Sequence, residues 1–232
     1  MEFLHGFSLT DLAAFLALIL AWIGYELYSV RASQRGTNSS ALMRSWRTKW
    51  MRTAISRDNR IVDLQIIRVL MGNSAFLAST AIFVVAGIAA VIGSAGEVVQ
   101  ILNGYEFLAE TTRNRFGLKL TLLGLIFINA FFRLAWSMRL HSNAAVVLGT
   151  IQQPENIKDR EAAETEAEIA ADLCTLAAKH YQGGMHAYYF GLAACAWFIH
   201  PVALIASVFW VVAILYRREF RSNSQAALQR GL

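Results

Sequence analysis

From Val69 to Ile92 the chain carries no charged side chain. As a helix rising ~1.5 Å per residue, that run is long enough to cross the ~30 Å hydrocarbon layer of a bilayer. Lipid offers no hydrogen bonds to the backbone, so a spanning segment must be a helix or part of a closed barrel. The run is continuously apolar rather than alternating, which selects the helix. Comparable runs extend from Leu9 to Tyr28, Gly117 to Met138 and Tyr188 to Tyr216. Only 16% of the residues are charged and 56% are apolar, whereas soluble domains carry ~25% charged residues. The pattern predicts an all-α, polytopic transmembrane helix bundle with about four membrane segments, forming a single domain over residues 1–232. The last segment is long and broken at His200-Pro201.

Most of the charges lie between the runs. Residues 29–68 hold Arg31, Arg35, Arg44, Arg47, Lys49, Arg52, Arg57, Arg60 and Arg68 against Asp58 and Asp63, which by the positive-inside rule makes this loop cytoplasmic. Within it Leu42, Trp46, Trp50 and Met51 recur at near-helical spacing, the pattern of an amphipathic helix lying on headgroups. The net charge of +5 therefore points to acidic lipid headgroups rather than nucleic acid. The next loop, 93–116, has Glu97, Glu106 and Glu110 against Arg113 and Arg115 and is expected outside. Residues 139–187 are expected to form a cytoplasmic loop. Its acidic helix would run from about Glu155 to Tyr181, with Pro154 in the first turn and Gly183-Gly184 as the stop. Small residues four apart on the second segment (Ala75 and Ser79, Ala86 and Ala90, Ala89 and Gly93) suit close helix approach. Ser8 or Thr10 would cap the first helix, which has no basic stretch before it or cleavage site after it and is expected to stay in place.

The final run is too long for one crossing. A kinked single helix would leave the tail Arg217, Arg218, Glu219 and Arg221 outside. A helix turning back at His200-Pro201 would bring it inside, where its arginines belong, and the charges favour that second arrangement. The setting is an inner (plasma) membrane, crossed several times.

Polar groups within the runs are the functional candidates. Glu26, Asn73, Ser74, Asn129 and Arg133 are expected at similar inner-leaflet depth, either as a pocket for an ion, lipid headgroup or small anion, or as a structural Glu26–Arg133 ion pair with interhelical amides. Arg57, Asp58, Asn59, Arg60 and Asp63 form either an anion grip or a set of helix caps and salt bridges. His186 and His200 lie fourteen positions apart, ~21 Å along one helix. That spacing suits haem ligation, but the first three segments supply no second axial histidine, and His5 and His141 are peripheral. Cys174 and Cys195 lack metal-ligand spacing and are expected as free thiols. No nucleophile with its base, phosphate loop, metal site or cofactor motif is visible, so an enzyme is unsupported.

Several blocks are too specific for composition alone: Arg57-Asp58-Asn59-Arg60-Ile61-Val62-Asp63, Leu70-Met71-Gly72-Asn73-Ser74-Ala75-Phe76-Leu77-Ala78-Ser79-Thr80, Tyr188-Tyr189-Phe190, Ala196-Trp197-Phe198, His200-Pro201 and Tyr216-Arg217-Arg218-Glu219-Phe220-Arg221-Ser222. Over most of its length the chain resembles the DUF599 family, membrane proteins of unknown function. The resemblance implies a membrane protein and supplies no activity. Three functions stay open: binding or moving a small ligand, lipid or ion through the inner-leaflet cluster; an accessory or scaffold subunit with a protein partner or a second copy; and, well behind, a haem-binding redox protein.

Overall fold

The computed structural model describes residues 8–105 and 111–230. Glu106, Glu110 and His5 lie outside them. The described residues form eight α-helices and no strand: α1 (Leu9–Gln34), α2 (Ser39–Ile55), α3 (Ile61–Gly93), α4 (Ala95–Leu102), α5 (Arg113–Thr150), α6 (Arg160–Cys195), α7 (Pro201–Phe220) and α8 (Asn223–Gln229). Four stretches are long and apolar enough to cross a membrane: α1, α3, α5, and α7 continued through α8. The chain is a multi-pass membrane protein.

Two compact units make up the described chain: unit one from residues 8–28, 79–105, 111–131 and 185–217, unit two from 29–78, 132–184 and 218–230. The core of unit one is aromatic and aliphatic, with Leu18, Phe116, Phe127, Phe190, Trp197 and Leu204 buried among alanines. Phe76, Phe83, Phe132, Phe209 and Trp210 are by contrast exposed, the arrangement of helices whose outer surface meets lipid tails.

Several boundaries differ from those read off the sequence. Helix α5 does not end near Met138 but continues to Thr150, 38 residues in all, because Leu140, Ala144 and Leu148 keep an apolar stripe buried after the main apolar run has ended. Pro154 opens a short 3-10 turn, Pro154–Asn156, rather than the acidic helix. That helix starts at Arg160, where Asp159 Oδ1 accepts the Ala162 N–H at 3.1 Å. It also runs straight through Gly183-Gly184. Paired glycines stop a helix in water, where backbone freedom decides. Inside a packed bundle their small size decides instead. A Cβ on Gly183 would collide with the Arg133 guanidinium, and one on Gly191 would come within 2.9 Å of the Phe127 ring.

The last apolar run is two helices. A 3-10 turn at Ala196–Phe198 ends α6, and Pro201 begins α7. The His200 imidazole caps α7, its Nδ1 accepting the Val202 N–H at 3.1 Å. Ser207 Oγ donates to Ala193 O at 3.0 Å. Those residues would lie ~21 Å apart along a straight helix, so the chain reverses here. With 36 residues in α6 and 20 in α7, neither arm is a half-length fragment. The straight helix that would carry His186 and His200 as paired ligands does not form.

Helix α2 appears where its apolar spacing predicts, capped by the buried Asn38 through the Ala41 N–H. Of its stripe, Leu42, Trp46 and Trp50 are half-buried and Met51 is fully buried. Met51, Ala54 and Ile55 are buried in unit two with Ala144, Leu148, Ala167 and Ala171. The opposite face, Arg44, Ser45, Thr48, Lys49, Arg52, Thr53 and Ser56, lines an open groove.

Candidate functional site

At one end of unit one a buried ion pair joins α1 and α5. Lys119 Nζ lies 3.5 Å from Asp11 Oδ1 and donates to Trp197 O at 3.1 Å. Trp197 Nε1 donates to Asp11 Oδ1 at 2.8 Å, and Ser8 Oγ donates to Oδ2 at 3.0 Å. The ammonium sits 5.1 Å from the Trp197 ring centroid. Both charges are opposed and hydrogen-bonded, the condition under which a buried pair is tolerated. Ser8 also caps α1, accepting the Asp11 N–H at 3.1 Å.

In unit two the block before α3 is tied to the backbone around it. Asn59 Oδ1 accepts the Ile61 N–H at 2.8 Å. Arg60 donates to Ala54 O at 3.0 Å, to Ile151 O at 2.6 Å and to Gln152 O at 2.7 Å, so one guanidinium satisfies the open carbonyls at the ends of α2 and α5. The fully buried Asp63 carboxylate accepts from Arg57 and from Trp50 Nε1 at 2.7 Å. Asp58 is exposed. Near the tail, Glu219 accepts from Ser40 Oγ at 3.0 Å and Gln182 Nε2 at 2.9 Å, while Arg217, Arg218 and Arg221 are exposed.

The interior of unit two holds a polar stripe on α5. Arg133, Ser137 and His141 are four apart and therefore share one face. The Arg133 guanidinium lies against the bare backbone of Gly183. Ser137 and Ser74 are both fully buried, with their hydroxyls 3.2 Å apart. Buried His141 places Nδ1 3.0 Å from Ser137 O. A carbonyl only accepts, so Nδ1 carries the proton and Nε2 is the free ring nitrogen. Half-buried Arg47 on α2 and fully buried Cys174 on α6 lie beside one another, on helices that pack with α5 through Met51, Ala54, Ala144, Leu148 and Ala171. Burial pushes the Cys174 thiol up to about 11, which keeps it neutral at pH 7. Desolvation also lowers the Arg47 pKa from its ordinary value.

Of the inner-leaflet candidates, unit two contains Asn73, Ser74 and Arg133. Ser74 joins the stripe through Ser137, whereas Asn73 is exposed beside it. Unit one contains Glu26, half-buried on α1, and Asn129, exposed on α5.

The sequence matches the family described as protein of unknown function, DUF599, over residues 13–224. The chain belongs to the DUF599 family. No curated protein and no solved structure matches it.

In this DUF599 chain, sequence reasoning missed Ser137, Arg47 and the partner of Lys119, and it set His141 aside as peripheral although the residue is buried. The signal for Arg47 was present: on a helical wheel it shares the face of Met51 and Ala54. Asp11 carried no such signal, because its partners lie far along the chain. No group of three or more His, Cys, Asp or Glu side chains arranged to hold a metal occurs among the described residues.

Proposed function

We propose that this DUF599 protein is a non-enzymatic, multi-pass protein of the inner (plasma) membrane that binds or moves a small ligand, lipid or ion through the polar interior of unit two. The α5 stripe carries the reading. Polar side chains are expensive in a membrane helix and are kept where they meet one another or a ligand. Arg133, Ser137 and His141 face inward together, and Gly183 leaves the room that the guanidinium occupies. The basic loop around α2 and the arginines at the end of α7 and just beyond it favour a cytoplasmic location for those segments. With the α6–α7 reversal, α6 then makes a fifth crossing and the tail returns inside. A fluorescent fusion at Leu232 that stays dark in the cytoplasm would contradict that topology.

Native mass spectrometry with an absorption spectrum, on protein extracted in its own lipid, tests the binding reading. A retained small molecule that Arg133→Met removes while the protein stays folded supports it. A ligand held equally by that variant refutes the role of the stripe, and a haem band would instead revive the redox alternative.

A second reading is favoured by the outer face of α3. Ala86, Gly87, Ala90 and Gly93 are exposed rather than packed within unit one, a surface on which another helix can approach closely. This supports an accessory or scaffold subunit, for which the same experiment would reveal a stoichiometric protein partner or a second copy.

A further inference from the structure

Arg47 is out of place for an arginine. It sits on the buried face of α2, one turn from Met51, which is fully buried. Other arginines of unit two have answers: Arg44 pairs with Asp172 and Arg52 with Glu168 at the surface, Arg57 with Asp63, and Arg60 with backbone carbonyls. Among the described residues no carboxylate pairs with Arg47. Its neighbour on α6 is Cys174, whose thiol is neutral at pH 7 and supplies no counter-ion. A half-buried cation without a counter-charge costs free energy that an anion would recover. Met51 and Ala54 of α2 share one core with Ala144 and Leu148 of α5, and on α5 one turn before Ala144, His141 has committed Nδ1 to Ser137 O and keeps Nε2 for a ligand.

We propose that Arg47, with Nε2 of His141, is the receptor for a phosphate-class anion, carried either by a lipid headgroup or by free phosphate. The planar guanidinium grips two phosphate oxygens at once. Nε2 accepts from a protonated phosphate oxygen, or donates once the ring is charged. The inference rests on the binding role of the α5 stripe and names the chemistry of what it binds.

The test uses the full chain, freed of lipid in detergent, with thermal unfolding followed against inorganic phosphate and against phosphatidylcholine vesicles with and without phosphatidic acid. Wild type is expected to be stabilised by one or both probes. A response to phosphate identifies the free ion as a sufficient source, and a response confined to phosphatidic acid identifies the lipid. Arg47→Met is expected to bind ~10-fold or more weakly, the loss of a charge-assisted contact, and without probe to be at least as stable as wild type. Arg47→Lys, which keeps the charge and loses the fork, is expected to retain part of the response. No stabilisation of wild type by either probe overturns the proposal, as does an unchanged response in Arg47→Met. An Arg47→Met protein less stable than wild type without any probe also overturns it, since the side chain would then serve packing. A response lost in Arg133→Met but intact in Arg47→Met leaves the stripe as a binding site and rejects Arg47 as its receptor.

Discussion

Two regions of this protein bury cations and treat them differently. In unit one, Lys119 is met by the Asp11 carboxylate, the Trp197 carbonyl and the Trp197 ring. In unit two, Arg47 faces a neutral thiol and an imidazole. The first arrangement is complete and reads as a staple between helices. The second lacks a counter-charge, and a half-buried charge left without one marks a place for a ligand. Presence of an ionisable group inside the fold is thus less informative than whether its charge is answered.

The largest test of that contrast is Asp11→Ala. Removing one partner of a buried pair costs ~3–5 kcal/mol, whereas replacing both is near neutral. Asp11→Ala should therefore unfold well below wild type, and the double variant Asp11→Leu, Lys119→Met should regain most of the loss. If Arg47→Met lowers the melting temperature as far as Asp11→Ala does, the two regions are alike and the contrast fails.

Cys174 gives the next effect. Its folded pKa is raised from 9.0 to about 11, so folding favours the protonated thiol. The associated stability is fully present below pH 9.0 and is lost as pH rises toward about 11. Cys174→Ala should flatten that alkaline slope, as read by denaturation at a series of pH values. An unchanged slope would mean that the thiol is not set against the interior as described.

Gly183→Ala sharpens the comparison from the other side. The added methyl displaces the Arg133 guanidinium, the far end of a flexible side chain, and alanine improves helix propensity by ~1 kcal/mol. Stability should barely change while the retained ligand is lost. Loss of both together would make Gly183 a packing residue only. The smallest effect is expected for Arg52→Gln, since the Arg52–Glu168 pair is exposed and surface pairs contribute little; its melting temperature should match wild type.

Much of the helical architecture was legible because lipid imposes a simple rule on the chain: predominantly apolar runs of sufficient length become helices. That rule located α1, α3 and α7, and the turn residues His200-Pro201 located the reversal. It failed where packing takes over from solvent. Gly183-Gly184 signalled a stop only under the assumption that water surrounds them. The end of the main apolar run at Met138 hid the continuation of α5, and with it the burial of His141. The candidate site was legible in pieces. Ser74 and Arg133 stood out as polar residues in apolar surroundings, but Ser137 looks unremarkable until its partner across the helices is known. The Arg57–Asp63 block was visible as a motif, while the carbonyls that Arg60 holds come from a part of the chain that no local pattern connects to it.

The unbroken course of α6 bears on how the protein is made. Its first half is acidic and its second half holds His186, Gln182 and several glycines, and it is not among the four stretches apolar enough to enter lipid by composition. Almost nothing from Tyr181 to Gly191 faces outward. Such a segment gains little from lipid and much from neighbours, one of which, α7, is synthesised after it. With α6 crossing as proposed, it would therefore wait at the membrane until the ribosome has delivered α7, and the two would be inserted together as a hairpin.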